Sequence, residues 1–372
     1  MARDRRSKIF IIIFITIVAF VLALVHIAVY EMVVTLFAIT SIYWLVVLRL
    51  VFTILCLSFI TASILSNIYD TVSTRAIYRF AAVWLGFVVI TFLSSILYSL
   101  AVLIGGSKVE WTIIFGFTLL GITLITGIYG LINARHVVVT RKTIILPNLP
   151  ETWKGKMAVM VSDLHLGHVR GAAFASKVVE TIGSLHPDII FIAGDLYDGV
   201  KVDESTIILP FALLRPSLGI YFVTGNHEEF RSNERFVHAI RKTGIRVLMN
   251  EIVNVNGLQV IGVDDHDSNN PDTFAKILSE IGIDRFAPSI LIKHQPTLLD
   301  VALKAGVSLQ LSGHTHHAQM WPFTYIARWI YKGYDYGLHR FGSMQVYTSS
   351  GVGTWGPPMR IGTKAEIVAM SF

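Results

Sequence analysis

Thirteen histidines occur in the 372 residues, eleven of them after position 150, and they stand beside aspartate and asparagine in a repeated setting. Asp163 and His165 follow the apolar run MAVMVS, Asp195 follows IIFIA, and Asn226 and His227 follow IYFVT. His294 closes SILIK, and the stretch LSGHTHHAQMW, Leu311–Trp321, places His314, His316 and His317 within four positions. Carboxylate, amide and imidazole donors together suit a divalent transition ion such as Mn, Fe or Zn. Asp163, His165, Asp195, Asn226, His294, His314 and His316 make seven candidate ligands, a number that favours two ions sharing a bridging carboxylate over one ion. Gly194, Gly225 and Gly313 each immediately precede a candidate ligand, where a residue without Cβ lets the chain turn sharply and approach a bound ion. The only cysteine, Cys56, lies in an apolar run, so a thiolate zinc cluster and a disulfide framework are both excluded.

Elements must carry these groups to one place. Met157–Ser162, Ile189–Ala193, Ile220–Thr224, Val247–Met249, Leu258–Val263, Ser289–Lys293 and Val307–Ser312 read as strands, and Ala172–Leu185, Glu204–Leu214 and Glu229–Lys242 have helical spacing. Continuously apolar strands alternating with helices predict an α/β domain with covered sheet faces. In such sheets ligands bind at the carboxyl ends of the strands, so five separate segments deliver polar groups to one edge. Met344–Ser349 and Glu366–Met370 read as late antiparallel strands that complete a second sheet.

The blocks DLH (163–165), GD (194–195), GNHE (225–228), HQP (294–296) and GHTH (313–316), in this order and each after a strand, together resemble the five-part signature of the calcineurin-like metallophosphoesterases. The tail YTSSGVGTWGPPMRIG, Tyr347–Gly362, and GLINAR, Gly130–Arg135, are similar to the YkuE-like branch, whose polytopic members include transmembrane proteins with a metallophosphoesterase domain. The resemblance implies a four-layer αββα sandwich with a dinuclear centre that hydrolyses a phosphoester or pyrophosphate. It implies that Asp163, His165 and His316 hold one metal, that Asn226, His294 and His314 hold the other, and that Asp195 bridges. It gives His227 the role of proton donor to the leaving oxygen and contact for the phosphate. The family pattern usually runs GHTHGGQ where this chain has GHTHHAQ, so His317 is read as a group at the rim of the pocket. With Arg360, after the WGPP turn, it is a candidate contact for the substrate anion.

Composition adds the membrane. A hydrophobic fraction of 53% and a mean hydropathy of +0.61 are too apolar for a soluble enzyme of this length. The excess lies in Ile9–Tyr30, Leu50–Tyr69, Phe80–Ser107 and Trp111–Asn133, uncharged runs near or above the roughly 20 residues a membrane helix needs. Residues 32–48 read as an interfacial or re-entrant connection plus the start of span two, with five spans as the alternative. The predicted organisation is therefore a transmembrane domain of about four helices over residues 1–135, a linker over 136–152 and the metallophosphoesterase domain over 153–372.

Residues 1–150 carry 11 Lys/Arg and 4 Asp/Glu, whereas the remainder carries 20 and 21. The basic excess thus flanks membrane spans instead of lining a nucleic-acid groove, and no nucleic-acid partner is expected. Arg3, Arg5, Arg6 and Lys8, then Arg75 and Arg79, then Arg135, Arg141 and Lys142 fall on one side of a four-span layout, which places both termini and the catalytic domain in the cytoplasm. The expected partners are the lipid bilayer and a phosphorylated substrate that a membrane tether suggests is lipid-linked or an envelope precursor. A non-catalytic sensor or transport-associated protein is the other reading. Met320–Gly337, aromatic-rich with Arg328 and Lys332, reads either as an amphipathic cap on lipid or as a helix packed on the sandwich.

Overall fold

The computed structural model describes residues 2–229 and 233–372. The chain forms two compact units, Met1–Leu131 with Gly356–Pro358, and Ile132–Trp355 with Met359–Phe372. The first unit contains α1 (Ala2–Leu36), α2 (Ile42–Ile68), α3 (Val72–Gly105) and α4 (Glu110–Asn133). All four are long and apolar enough to cross a bilayer, α1 through Ile15–Leu36. Within residues 32–48 the start of span two falls as expected, with α2 beginning at Ile42, while α1 continues through Leu36 and leaves only residues 37–41 as the connection. Met32 and Leu36 pack with Tyr98 and Leu119, and this apolar contact carries α1 past the single charge of Glu31.

Small and hydroxyl side chains join these helices, as expected where lipid offers no hydrophobic drive for association. Ala81 and Ala82 are fully buried, and Ser94 Oγ lies 2.8 Å from Thr123 Oγ1. The Trp84 indole donates to His26 Nε2 at 3.0 Å, and His26 Nδ1 donates to Leu22 O at 2.7 Å, so both ring nitrogens of this intramembrane histidine are engaged.

The second unit runs β1 (Val137–Thr143), β2 (Met157–Val161), α5 (Ala172–Ser184), β3 (Ile189–Ala193), α6 (Glu204–Ile208), β4 (Ile220–Val223), α7 (Asn226–Glu229), α8 (Asn233–Lys242), β5 (Arg246–Val247), β6 (Glu251–Val255), β7 (Leu258–Gly262), α9 (Asp265–Ser268), α10 (Pro271–Glu280), β8 (Ser289–Ile292), α11 (Leu299–Ala305), β9 (Leu309–Ser312), α12 (Thr324–Ile330), β10 (Gly337–Phe341), β11 (Met344–Thr348) and β12 (Ala365–Ser371). One sheet has the order β1-β12-β2-β3-β4-β5 and the other β10-β11-β9-β8-β7-β6. Residues of both sheets, among them Met160, Phe191, Val223, Val260, Ile292 and Leu311, form the core between them. The opposite face of the first sheet packs on α5, α6 and α8 through Val178, Ile182, Ile208 and Phe236. That of the second packs on α10 and α11 through Phe274, Leu278 and Ala302. The architecture is the four-layer αββα sandwich.

Two expectations need correction. Residues 137–143, within the stretch read as a linker, are β1, paired parallel with β12 from Val137↔Ala365 to Thr143↔Ser371. Its charges Arg141 and Lys142 read as membrane flanks because an edge strand tolerates exposed cations and gives no clean alternation. The late strands also separate: β11 joins the second sheet but lies parallel to β9, whereas β12 enters the first sheet, antiparallel to β2. A strand buried at six consecutive positions belongs in the interior of a sheet, where β1 and β2 flank it on both sides.

Candidate metal centre

The carboxyl ends of β2, β3 and β4 in one sheet and of β8 and β9 in the other bring the predicted donors together. Among the described residues, ligand atoms of Asp163, His165 and His316 lie within 4.8 Å of one another, as do those of Asp195, His294 and His314, and those of His165, Asp195 and His227. Asn226 joins through Oδ1, 3.2 Å from His294 Nε2. All seven candidate ligands and His227 thus share one site.

The loops that hold them are sharply bent. Asp163, His165, Asp195, His314 and His316 all have φ between 48° and 70°, a region few non-glycine residues occupy and one where each costs about 1–3 kcal/mol. Such backbone lets a strand stop and turn its next side chain back across the sheet edge. Two neighbouring glycines give the room: a Cβ at Gly225 would collide with Asp195 Oδ1, and one at Gly313 with Asp163 Oδ2.

Around His294 the donor chemistry is specific. Its Nδ1–H donates to Ala193 O at 2.7 Å, which in the neutral ring leaves Nε2 as a lone pair. That nitrogen faces Asp195 Oδ2, Asn226 Oδ1 and His314 Nδ1, each at 3.2 Å. Lone pairs converge there, and only a proton or a cation relieves them. Burial opposes a proton on the ring, but Asp195 holds His294 well above the usual imidazole range. The second cluster repeats the pattern, with His165 Nε2 and His316 Nε2 facing each other at 2.9 Å. Burial, reinforced by His165, pushes His316 well below its usual range, and burial with His294 lowers His314 to about 3. Both are neutral at pH 7, the form that ligates a metal. Asp195 is buried, which opposes ionisation, yet His294, His227 and His165 keep it well below the usual carboxylate range.

His227 N–H donates to Asp195 Oδ1 at 2.9 Å, and its Nδ1 donates to Asp198 O at 3.1 Å. Its ring stands edge-on to His165, with centroids 4.6 Å apart, and to Trp355 at 5.8 Å. Asp198 also sets Oδ1 3.4 Å from His165 Nδ1, so one residue orients two imidazoles.

Two buried side chains hold the loops. Glu228, the last letter of GNHE, received no role from sequence. Its carboxylate accepts from the amides of Asp195 at 3.0 Å, Tyr197 at 2.9 Å and Gly225 at 2.8 Å, tying the end of β3 to the end of β4. Burial, then the charge of Asp195, pushes it up to about 8. Arg360 is fully buried. Its guanidinium donates to the carbonyls of Ser350, Gly351, Gly353 and Lys364 at 2.6 to 3.0 Å. It braces the tail loop: both Nη groups are spent on backbone carbonyls and the side chain is fully buried, so they are not presented to a substrate anion. His317 does reach the rim, about a quarter exposed, with Nδ1 2.8 Å from Asp335 Oδ2 and its ring packed on Tyr336. The acidic cluster after β7 is structural: Asp264 caps α9 through His266 N–H, and Asp265 accepts from Gln295 in the HQP block.

Comparison with known proteins agrees with this site. Residues 158–318 match the calcineurin-like phosphoesterase family model. An uncharacterised metallophosphoesterase of Aquifex aeolicus is 33% identical over 67% of this chain and 97% of its own length. A transmembrane protein with metallophosphoesterase domain from Danio rerio is 32% identical over 66% of this chain and 60% of its own. The uncharacterised metallophosphoesterase YkuE of Bacillus subtilis is 28% identical over 69% and 94%. The chain spans about 60% of the length of the transmembrane relative.

Proposed function

The chain belongs to the calcineurin-like phosphoesterase family, and on that premise we propose that it is a membrane-anchored phosphoesterase with a dinuclear metal site. Asp163, His165 and His316 hold one ion and Asn226, His294 and His314 the other, with Asp195 shared between them. Residues 1–135 anchor the protein, and residues 153–372 carry the chemistry, completed by the edge strand at 137–143. The basic flanks of the spans favour a cytoplasmic domain. The observation that supports the proposal best is the convergence of Asp195 Oδ2, Asn226 Oδ1 and His314 Nδ1 on His294 Nε2, an arrangement that a divalent cation satisfies.

Two divalent ions of the Mn, Fe or Zn type supply Lewis-acid polarisation of a phosphoryl oxygen and an acidified water. The chain's own groups do the rest. His227 stands at the edge of both donor sets, where it can contact the phosphate and hand a proton to the leaving oxygen. Burial lowers its pKa against the pull of Asp195, so the resting ring is neutral. An arriving phosphate anion raises that pKa and loads the proton where it is needed. Asp198 fixes the ring by accepting its Nδ1–H.

The test uses the full chain in detergent, stripped with a chelator and reloaded separately with Mn, Fe or Zn. Two metal equivalents per chain and metal-dependent release of aryl alcohol from a generic aryl phosphodiester are the expected results. A protein that holds two metals and turns over no phosphoester would be a binding or sensing module, and the enzyme reading would be abandoned.

A further inference from the structure

Around α12 the usual polarity of a surface helix is inverted. Its one buried side chain is Ala327, while Trp329 is 81% exposed, Tyr325 67%, Ile330 55% and Ile326 53%. Contiguous exposed apolar surface of this kind marks an interaction site. Arg328 and Lys332 lie exposed among these rings, and with Tyr325, Trp329 and Ile330 they border an open groove of about 1000 Å³. Tryptophan and tyrosine combined with basic residues is the composition of a membrane interface, with rings at headgroup level and cations for anionic lipid.

The patch reaches the metal site. Tyr331, the residue after α12, lies edge-on to His314 with ring centroids 6.3 Å apart. Exposed Trp355 lies against His227 and is tied to the GHTHHAQ loop by a reciprocal pair of bonds: Gln319 Nε2–H donates to Trp355 O at 2.9 Å, and Trp355 N–H donates to Gln319 Oε1 at 2.7 Å. The bilayer is also at hand. Three residues separate α4 from β1, a tether of about 10 Å at most.

We propose that α12 and its flanking aromatics seat in the headgroup layer of an anionic bilayer, and that the substrate is a phosphoester carried by a lipid in that layer. The substrate half rests on the phosphoesterase reading above; the seating half does not. The reaction is hydrolysis. A water oxygen joins phosphorus and releases one proton to solvent, the P–O bond to the lipid breaks, and the lipid oxygen leaves as an alcohol with the proton from His227, which solvent then restores. The aromatic ridge keeps the lipid body in its own phase while the phosphate alone enters the polar site.

The full chain in nanodiscs of phosphatidylcholine and phosphatidylglycerol tests both halves. Because Cys56 is the only cysteine, a Cys56→Ser background with Trp329→Cys or Tyr325→Cys takes one nitroxide label, and Glu280→Cys on α10, whose side chain is 63% exposed, gives a water-facing reference. Labels at 325 and 329 should relax more with oxygen and less with a water-soluble nickel chelate than the label at 280. Equal nickel accessibility at 329 and 280 overturns the seating, and so does strong dipolar coupling between labels at 329 in discs holding two copies, because a second copy then covers the face. For the substrate, Tyr325→Glu with Trp329→Glu should cut hydrolysis of disc-borne diacyl or polyprenyl phosphates at least about tenfold while sparing a soluble aryl phosphodiester. Equal loss on both substrates, no loss on either, or a wild type that cleaves the aryl ester and no lipid phosphate overturns the substrate half. A wild type that cleaves neither counts against the phosphoesterase reading, and the label result still decides the seating.

Discussion

Glu228→Gln measures how far the donor set depends on a residue that is no ligand. The carboxylate is fully buried; Oε2 accepts the amides of Asp195 and Gly225, and Oε1 accepts that of Tyr197. Glutamine is nearly isosteric but keeps one oxygen. Turned toward the Asp195 and Gly225 pair, it points its amide NH₂ at the Tyr197 N–H, leaving two buried donors facing each other. At about 1–3 kcal/mol for each unsatisfied buried group, the loss is about 2–6 kcal/mol. For a unit of this size, at roughly 2–4 °C per kcal/mol, Tm should fall by about 4–24 °C. The measurement is thermal unfolding of the detergent-solubilised full chain at about pH 9, above the pKa of about 8 where the carboxylate is ionised, with excess chelator so that altered metal binding does not contribute. Fluorescence reports on the sandwich through Trp153, which is fully buried in its core. A variant melting within a degree or two of wild type would show that the three amides find other partners, and the bracing role of Glu228 would be wrong.

Other perturbations separate the remaining roles. His227→Ala should lower kcat by about 10² to 10⁴ with two metals retained; loss of metal by elemental analysis would instead place it among the ligands, where its proximity to His165 and Asp195 would allow it to serve. Asp195→Asn should weaken both metals, because its carboxylate lies 3.2 Å from His294 Nε2 and 3.8 Å from His165 Nε2; loss of a single equivalent would refute sharing. Arg360→Lys should lower Tm by several degrees, since one ammonium cannot replace a fork bound to four carbonyls; a raised KM at unchanged Tm would restore it as a substrate contact. Asp188 is partly buried, which opposes ionisation, but Lys156 and the Met157 amide hold its pKa down. A depressed folded pKa stabilises above the unfolded value near 3.9 and loses that effect as pH falls through the folded one. The stability gap between wild type and Asp188→Asn, measured by urea unfolding, should therefore narrow below about pH 4, and a gap constant to pH 3 would count against the ion pair.

The site was legible because its donors are local signals: each follows an apolar run, and a strand's carboxyl end has only one place to be in a covered sheet. The α/β alternation was legible for the same reason. What escaped the sequence depends on partners far along the chain. β1 is a strand only because β12, more than 220 residues later, lies beside it. Arg360 reads as a free cation after a turn until the loops at 350–353 close around it. Likewise the sequence left Met320–Gly337 between an amphipathic cap on lipid and a helix packed on the sandwich, and only the fold shows that the rings of α12 are exposed.

Glu228, Arg360 and the left-handed residues are one physical problem. Five candidate ligands occupy φ values that disfavour side chains, at about 1–3 kcal/mol each, and a metal could not select that backbone from a floppy loop without losing the same energy from its affinity. The strain must be offset before the ion arrives. Glu228 pins the amide of Asp195, Asp163 accepts the amide of His314 through Oδ1 at 2.9 Å, and Arg360 approaches His316 O at 3.4 Å. Each strained donor residue in these pairs is held by a buried polar side chain from a different segment of the chain. His317 fits the same logic: its φ is 48° where the family pattern has glycine, and its bond to Asp335 with the face of Tyr336 offsets a conformation glycine would adopt without strain. The cost of a side chain at this φ is met by its contacts with Asp335 and Tyr336.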